Sequence, residues 1–187
     1  MSLFSKVAHN YDKIVGPFDL SEIMEYIDLH PEELLFDLGG GTGRIAYQLT
    51  DYVKGCLVLD ASYKMLLEAK KKGNDLFLIH GFSESLPLKT NSLKQIFLND
   101  SLHHIKLQEE TLVECFRVLS SGGQLIIREF DKKYFWNKFL IFGEKILRFK
   151  SKFFSPAQLS ELCQKIGFET SWKRPSKATF ILIAKKT

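Results

Sequence analysis

Short apolar runs alternate along the chain with longer stretches whose apolar residues recur at helical spacing. The runs at 34–38, 56–59, 76–79 and 93–98 are mostly apolar, interrupted by Asp37 in the first and by Lys94 and Gln95 in the fourth, and a fifth at 124–130 follows the glycine pair at 122–123. Runs of this length, bounded by turn residues, predict parallel strands buried on both faces. Between them lie predicted helices. Ser62 can cap one that runs to Lys72 and stops at Gly73, and residues 106–119 place Leu112, Phe116 and Leu119 on one stripe. A helix is expected from about Arg44. An earlier one spans 19–29, with Asp19 as cap, Glu22 in the first turn, and Ile23, Met24 and Ile27 facing inward before Pro31 breaks the chain. After residue 154 the rhythm changes. Ser155 caps and Pro156 opens a helix that closes at Gly167, and strands at 168–172 and 179–184 follow with no helix between them. Such a pair joins antiparallel. The whole predicts a Rossmann-like three-layer α/β sandwich: a seven-stranded, mostly parallel sheet with right-handed crossovers and an antiparallel C-terminal hairpin.

Composition narrows the class. A length of 187 residues suits one domain, read here as 1–187, and the 45% hydrophobic content excludes a disordered chain. The net charge of +4 permits nucleic acid or an anionic surface as partner but points to neither. Cys56, Cys115 and Cys163 are far apart in apolar contexts, which predicts buried thiols rather than a disulfide framework or a metal site. The first residues lack the apolar core of a signal peptide, and no run approaches the ~20 residues of a membrane span. The expected location is therefore cytoplasmic.

The candidate chemistry centres on Asp37-Leu38-Gly39-Gly40-Gly41-Thr42-Gly43. Glycines between a buried strand and a helix let the backbone turn sharply and approach a ligand closely. Asp60 ends the next strand, about twenty residues on, where a carboxylate can accept ribose hydroxyls. A dinucleotide loop would need a glycine at 44, which is Arg44. It would also be repelled by Asp37 at its pyrophosphate. A carboxylate suits instead the cationic amino acid part of a sulfonium nucleoside, so the loop favours S-adenosylmethionine over NAD. A glycine-rich turn without a ligand is the alternative.

Five segments carry a resemblance, in order, over residues 34–130: FDLGGGTGR at 36–44, LVLDASYKML at 57–66, HGFSESLPL at 80–88, IFLNDSLHHI at 96–105 and ECFRVLSSGGQLII at 114–127. Together they resemble class I S-adenosylmethionine-dependent methyltransferases of the broad small-molecule group. The N-terminal FSKVAHNYD at 4–12 is similar to the opening of quinone-biosynthesis C-methyltransferases. The resemblance implies strand order 3-2-1-4-5-7-6. It implies cofactor contacts from Asp37, Gly39, Gly40, Gly41, Gly43, Asp60, Ala61, Met65, Gly81, Phe82, Ser83 and Asn99, with Tyr11 in an N-terminal flap over residues 1–18. S-adenosyl-L-homocysteine is the product it implies. Phe82 departs from the family, which places an Asp there to receive the adenine amino group.

Methyl transfer from a sulfonium requires alignment of the acceptor and exclusion of water, and a general base only if the acceptor must lose a proton. His103 and His104, just past the fourth strand, are the candidate bases; packing at a strand-to-helix corner is the other reading. Asp100 is a second candidate. No metal site is expected. Residues 132–154 fall outside the α/β rhythm. Phe135, Phe139, Phe142, Ile146 and Phe149 form one helical stripe, with Lys138, Lys145 and Lys152 on another face. This predicts a helical lid over an apolar or aromatic small-molecule acceptor. A basic amphipathic helix can also lie on a membrane surface. RNA or protein as acceptor, and a non-catalytic cofactor-binding protein, are the competing functions; no nucleic-acid module is recognisable.

Overall fold

The computed structural model describes residues 6–131 and 152–187. The apolar runs form β1 (Leu34–Leu38), β2 (Gly55–Asp60), β3 (Leu76–His80), β4 (Leu93–Asn99) and β5 (Leu119–Phe130). The hairpin is β6 (Phe168–Lys173) and β7 (Thr179–Lys186). Among the described residues these make a seven-stranded sheet ordered β3-β2-β1-β4-β5-β7-β6. Strands β1 to β5 pair in parallel, while β7 runs antiparallel to both β5 and β6. The helices are α1 (Tyr11–Val15), α2 (Ser21–Met24), α3 (Ala46–Leu49), α4 (Tyr63–Ala69), α5 (Gln108–Val118) and α6 (Pro156–Ile166).

Strand alternation divides the core into two faces. Phe36, Leu38, Ile96, Leu98, Leu125, Ile127, Phe180 and Leu182 meet Leu112 and Cys115 of α5 and Leu159 and Cys163 of α6. Leu35, Val58, Phe97, Ile126 and Ile181 meet Ile23 of α2, Ala46 and Leu49 of α3, and Leu66 and Ala69 of α4. All three cysteines are buried and unbridged. The start of α6 follows its sequence signal closely: Ser155 and Gln158 form a reciprocal capping box, Pro156 follows, and Gly167 ends the helix at φ 117°.

Several boundaries differ from the sequence expectation. The helix expected over 19–29 is regular only at Ser21–Met24. Asp19 accepts from the Ser21 N–H at 2.9 Å as expected of a cap, but Pro31 bars helix at the residue before it, and the chain must turn into β1. The helix expected from Arg44 is regular from Ala46 to Leu49 and tightens into a 3-10 turn, where the Thr50 hydroxyl takes the Tyr47 carbonyl at 2.7 Å. The Ser-Ser-Gly-Gly segment at 120–123 lies within β5. The register against β4 shifts there between Leu93 and Gln95, and Gly122 at φ 78° makes a bulge that continues the strand.

Because β1 hands over to β2 on one side while β4 lies on its other, the strand order reverses direction at β1. In open α/β sheets ligands bind outside the carboxyl ends of the strands at such a point, and this is where the sequence places its glycine loop.

Candidate functional site

The loop after β1 turns through glycines in left-handed conformation, Gly39 at φ 75°, Gly41 at 58° and Gly43 at 65°. A Cβ on Gly39 would sit 2.8 Å from the Ser101 Cβ, and one on Gly40 would fall onto the Asp37 carboxylate. Gly41 differs: its Cβ would meet only Asp60 Oδ2, at 3.9 Å. Space is therefore left on the side of Gly41 that faces Asp60. The Gly39 N–H is anchored on the Leu59 carbonyl at 2.8 Å, and that of Gly41 on Asp60 Oδ2 at 3.0 Å.

Asp60 ends β2 and organises this cradle. Its Oδ1 accepts from the Ser62 N–H at 2.7 Å, and its carbonyl accepts from Gly81 at 3.3 Å. Burial raises its pKa, while the Ser62 and Gly41 N–H groups hold it down. Each carboxylate oxygen has two lone pairs, so both keep capacity for a ligand's hydroxyls. Beneath the loop, Asp37 is buried and its pKa is pushed up to about 7, chiefly by desolvation and then by the Asp60 charge, against the pull of Arg44 and the Ala46 N–H.

The next loops adjoin directly. Gly81 follows β3, and Phe82 beside it is 65% exposed, so the residue at the family's Asp position makes little packing contact. Ser83 is buried with its hydroxyl 2.9 Å from that of Thr111 on α5, which engages the side chain in the core. Ala61 is exposed, with its carbonyl 3.2 Å from His80 Nε2, and Met65 on α4 is buried.

The N-terminal segment, as far as it is described, is fastened to this loop. Asp12 accepts from the Thr42 hydroxyl and pairs with Lys72 at 2.7 Å. Lys72 also donates to the Thr42 carbonyl at 2.8 Å, and Arg44 donates to the Gly16 carbonyl at 3.1 Å. Phe18 lies between two guanidinium groups, 5.6 Å from Arg44 and 5.3 Å from Arg128. Tyr11 has a raised pKa, mainly from burial, and feels the charges of Arg44, Asp100, Asp12 and Asp60. Asp12, Lys72 and Arg44 were not expected from the sequence as a group. They are far apart along the chain; Asp12 and Arg44 stood in recognisable segments, but nothing in the sequence joined them to Lys72.

The exit of β4 carries the densest polar network. Asn99 pairs with Arg128 across the sheet, and the Arg128 guanidinium bridges Glu22 at 2.7 Å and Asp100 Oδ2 at 2.6 Å. Asn99 Oδ1 lies 3.4 Å from the same guanidinium. Asp100 sits at φ 48°, and desolvation outweighs Arg128 in raising its pKa to about 6.

Of the two histidines, His103 is buried with Nδ1 2.6 Å from Glu129 Oε2 on β5, and its backbone N–H reaches Glu129 Oε1 at 3.3 Å. Phe153 stacks on the imidazole at 4.5 Å. The His104 ring lies 3.9 Å from that of His103, and burial drives its pKa down to about 3, which makes His104 a neutral imidazole at physiological pH. Glu129 gave no signal in the sequence, because its link to His103 crosses 26 positions and depends on the β4–β5 register. Among the described residues no group of three or more His, Cys, Asp or Glu side chains could hold a metal ion, and no helix is long and apolar enough to cross a membrane. Residues 132–151, most of the expected lid with Phe135, Phe139, Phe142, Ile146 and Phe149, lie outside the described residues.

The cradle fits S-adenosylmethionine. Space stands open beside Gly41, and the carboxylates of Asp60, Asp37 and Asp100 lie around the loop. Comparison with known proteins agrees. Residues 36–127 match the family described as a methyltransferase domain. The chain is 30% identical over 149 residues to the ubiquinone/menaquinone biosynthesis C-methyltransferase UbiE of Wigglesworthia glossinidia brevipalpis, covering 71% of this chain and 60% of that one. It is 30% identical over 181 residues to the uncharacterized protein MJ1123 of Methanocaldococcus jannaschii, covering 90% and 82%. A solved structure from Thermotoga maritima, described as an S-adenosylmethionine-dependent methyltransferase and possible histamine N-methyltransferase, superposes with a TM-score of 0.78 at 28% identity, over 98% of each chain. The chain spans 60% and 65% of the length of the first two curated quinone-pathway relatives it matches. Motif order, sheet topology, cradle geometry and these likenesses converge, and the chain belongs to the family of S-adenosylmethionine-dependent methyltransferases.

Proposed function

We propose that this protein transfers a methyl group from S-adenosylmethionine to a small acceptor, apolar or aromatic in its body, whose nucleophilic atom gives up a proton to His103. The observation that carries this reading is the buried His103–Glu129 pair at 2.6 Å, two residues past Ser101, which itself packs on the glycine loop. Glu129 accepting from Nδ1 would assign the proton to that nitrogen and the basic lone pair to Nε2, and would hold the ring in one orientation. Glu129 is thus a positioning residue. The bound cofactor supplies a methyl group on a positively charged sulfur, so the donor needs no further activation. Acceptor selection by the aromatic residues at 132–154 is part of the proposal, supported by Phe153 stacking on the His103 ring. Asp60 would take the ribose and Tyr11 would close over the cradle.

The test is methyl transfer from labelled S-adenosylmethionine to three probes: a naphthohydroquinone, a catechol and histamine. Transfer to a hydroxylated ring is expected. His103→Ala should then lower the rate by roughly 10²–10⁴ with cofactor affinity kept, and Glu129→Gln should shift the pH profile of the rate. An unchanged rate in His103→Ala removes the base assignment. Tight binding of S-adenosylhomocysteine with no transfer to any probe would favour the competing reading of a non-catalytic binder, for which the exposed Phe82 is the one specific observation.

A further inference from the structure

The two edges of the sheet are protected unequally. β6 carries Glu169 and Lys173, and Arg174-Pro175 follows it. Charges and proline of this kind discourage a further strand from adding to an edge. β3, at the opposite edge, reads Leu76-Phe77-Leu78-Ile79-His80 and holds no Lys, Arg, Asp or Glu. Its peptide groups alternate in direction. The Cys56 N–H donates to the Asp75 carbonyl at 3.0 Å, and the Gly81 N–H donates to the Asp60 carbonyl at 3.3 Å. Residues 75, 77, 79 and 81 therefore bond β2, and the N–H and C=O groups of Leu76, Leu78 and His80 point away from the sheet. Among the described residues no strand lies beyond them.

Apolar side chains gather along the same edge. Phe77 is 48% exposed and Tyr63 is 59% exposed. The Tyr63 ring lies 5.6 Å from that of His80, which sets the start of α4 beside the end of β3. Leu67, also exposed, comes four residues later and so shares the Tyr63 face of the helix. An exposed, uncharged, apolar edge is a template for pairing. A lipid surface would cover the side chains but leave the outward N–H and C=O groups without partners, so the edge calls for a polypeptide strand.

We infer that β3 is a homodimer interface, pairing antiparallel with β3 of a second copy about a two-fold axis at Leu78. The strand's own sequence argues for a copy of itself as the occupant. With Leu78 opposite the partner's Leu78, Leu76 meets the partner's His80, and His80 meets the partner's Leu76. Of the symmetric registers, this one gives all three outward-facing residues a hydrogen-bonded partner. It sets Phe77 against the partner's Ile79, an aromatic against a β-branched side chain, which is a favourable cross-strand pair. No like charges meet within the paired strands, because neither copy has a Lys, Arg, Asp or Glu there. A paired edge of this length is small against the ~800 Å² per partner of a stable interface. The two α4 helices, which the two-fold axis brings antiparallel onto one face of the joined sheet, extend it with Tyr63 and Leu67 from each copy.

Sedimentation velocity on the full chain, at concentrations up to roughly 100 µM, tests this. The wild type should pass from monomer to dimer as concentration rises. Phe77→Lys places a charge in the paired segment on a half-exposed side chain, so it should stay monomeric with its melting temperature kept. His80→Pro is the second variant if the first loses stability: it removes one outward N–H and leaves the bonds to β2 intact. Leu78→Cys checks the register. The three native cysteines are buried and unbridged, and the axis would bring the two new thiols to a Cα separation of about 5.5 Å. Mild oxidation should then give a disulfide-linked dimer, a readout independent of the stability of the other two variants. A wild type that remains monomeric over the whole range overturns the inference, and the edge then belongs to a strand of some other protein. A dimer that survives both edge variants, or that Leu78→Cys does not cross-link, overturns it as well, because the copies then meet elsewhere or in another register.

Discussion

Asp37→Asn should stabilise the protein at neutral pH while weakening its site. Asp37 is 3% exposed under the glycine loop, and burial, reinforced by the Asp60 charge, lifts its pKa from 3.8 to about 7. At about 1.4 kcal/mol per pKa unit, a rise of this size means that the ionised carboxylate opposes folding by about 4 kcal/mol above pH 7. An asparagine removes that opposition and keeps an oxygen for the Ala46 N–H. It also brings two amide donors into a buried place, at a cost of about 1–3 kcal/mol. A net gain of roughly 1–3 kcal/mol at pH 8 follows from these opposing terms. The sign with pH is fixed by linkage. A carboxyl whose folded pKa is raised keeps its proton in the folded state where the unfolded chain has lost it. Wild-type stability from this group is therefore present below about pH 4 and falls as pH rises toward 7. The advantage of Asp37→Asn should be largest at pH 8, be close to zero at pH 5 and turn into a deficit of about 1–3 kcal/mol near pH 3–4, where only the cost of the amide donors remains. Urea unfolding of both proteins at these pH values measures it, since titrating groups not coupled to Asp37 cancel in the difference. A variant less stable than wild type by the same amount at pH 8 and pH 4 would refute the reasoning and show that the Asp37 carboxylate is structurally required. S-adenosylhomocysteine affinity should fall in the variant, because the negative charge under the loop is lost.

Other outcomes follow from the same geometry. Gly40→Ala drives a methyl group onto the Asp37 carboxylate and within 2.9 Å of Val58, and the adjustment should cost about 1–3 kcal/mol in thermal or urea unfolding. Gly41→Ala meets open space but keeps φ 58°, so it should cost only about 1–2 kcal/mol of stability, with a larger effect on ligand titration. Asp60→Ala should weaken S-adenosylhomocysteine binding by about 1.5–3 kcal/mol in calorimetry with the fold retained. Phe82→Asp replaces a side chain that is 65% exposed, so the melting temperature should hold while adenosine affinity rises.

Much of the architecture is written locally. The five apolar runs, the glycine cluster that ends the first, the capping signals at Ser155 and Gly167, and the absence of a helix between the last two strands suffice for a parallel sheet with an antiparallel hairpin. They suffice because a strand buried on both faces needs an unbroken apolar run, and a left-handed turn needs glycine. The lengths of α2 and α3 and the start of β5 were not legible. There a proline, a threonine hydroxyl and a glycine bulge acted against longer-range pairing, and the outcome depends on where the neighbouring strand lies. The same division holds for the site. Asp37, the glycine loop, Asp60 and the His103–His104 pair stand out as residue types at telling spacings. Which histidine is held by a carboxylate was decided by β4–β5 register, which brings Glu129 to His103, while burial leaves His104 neutral. The tertiary structure likewise clamped Asp100 through Arg128 and Glu22 across 106 positions of chain, and pinned Asp12 to Thr42 and Lys72. Contacts of that range arise only when distant elements pack, so neither periodicity nor motif spacing carries them.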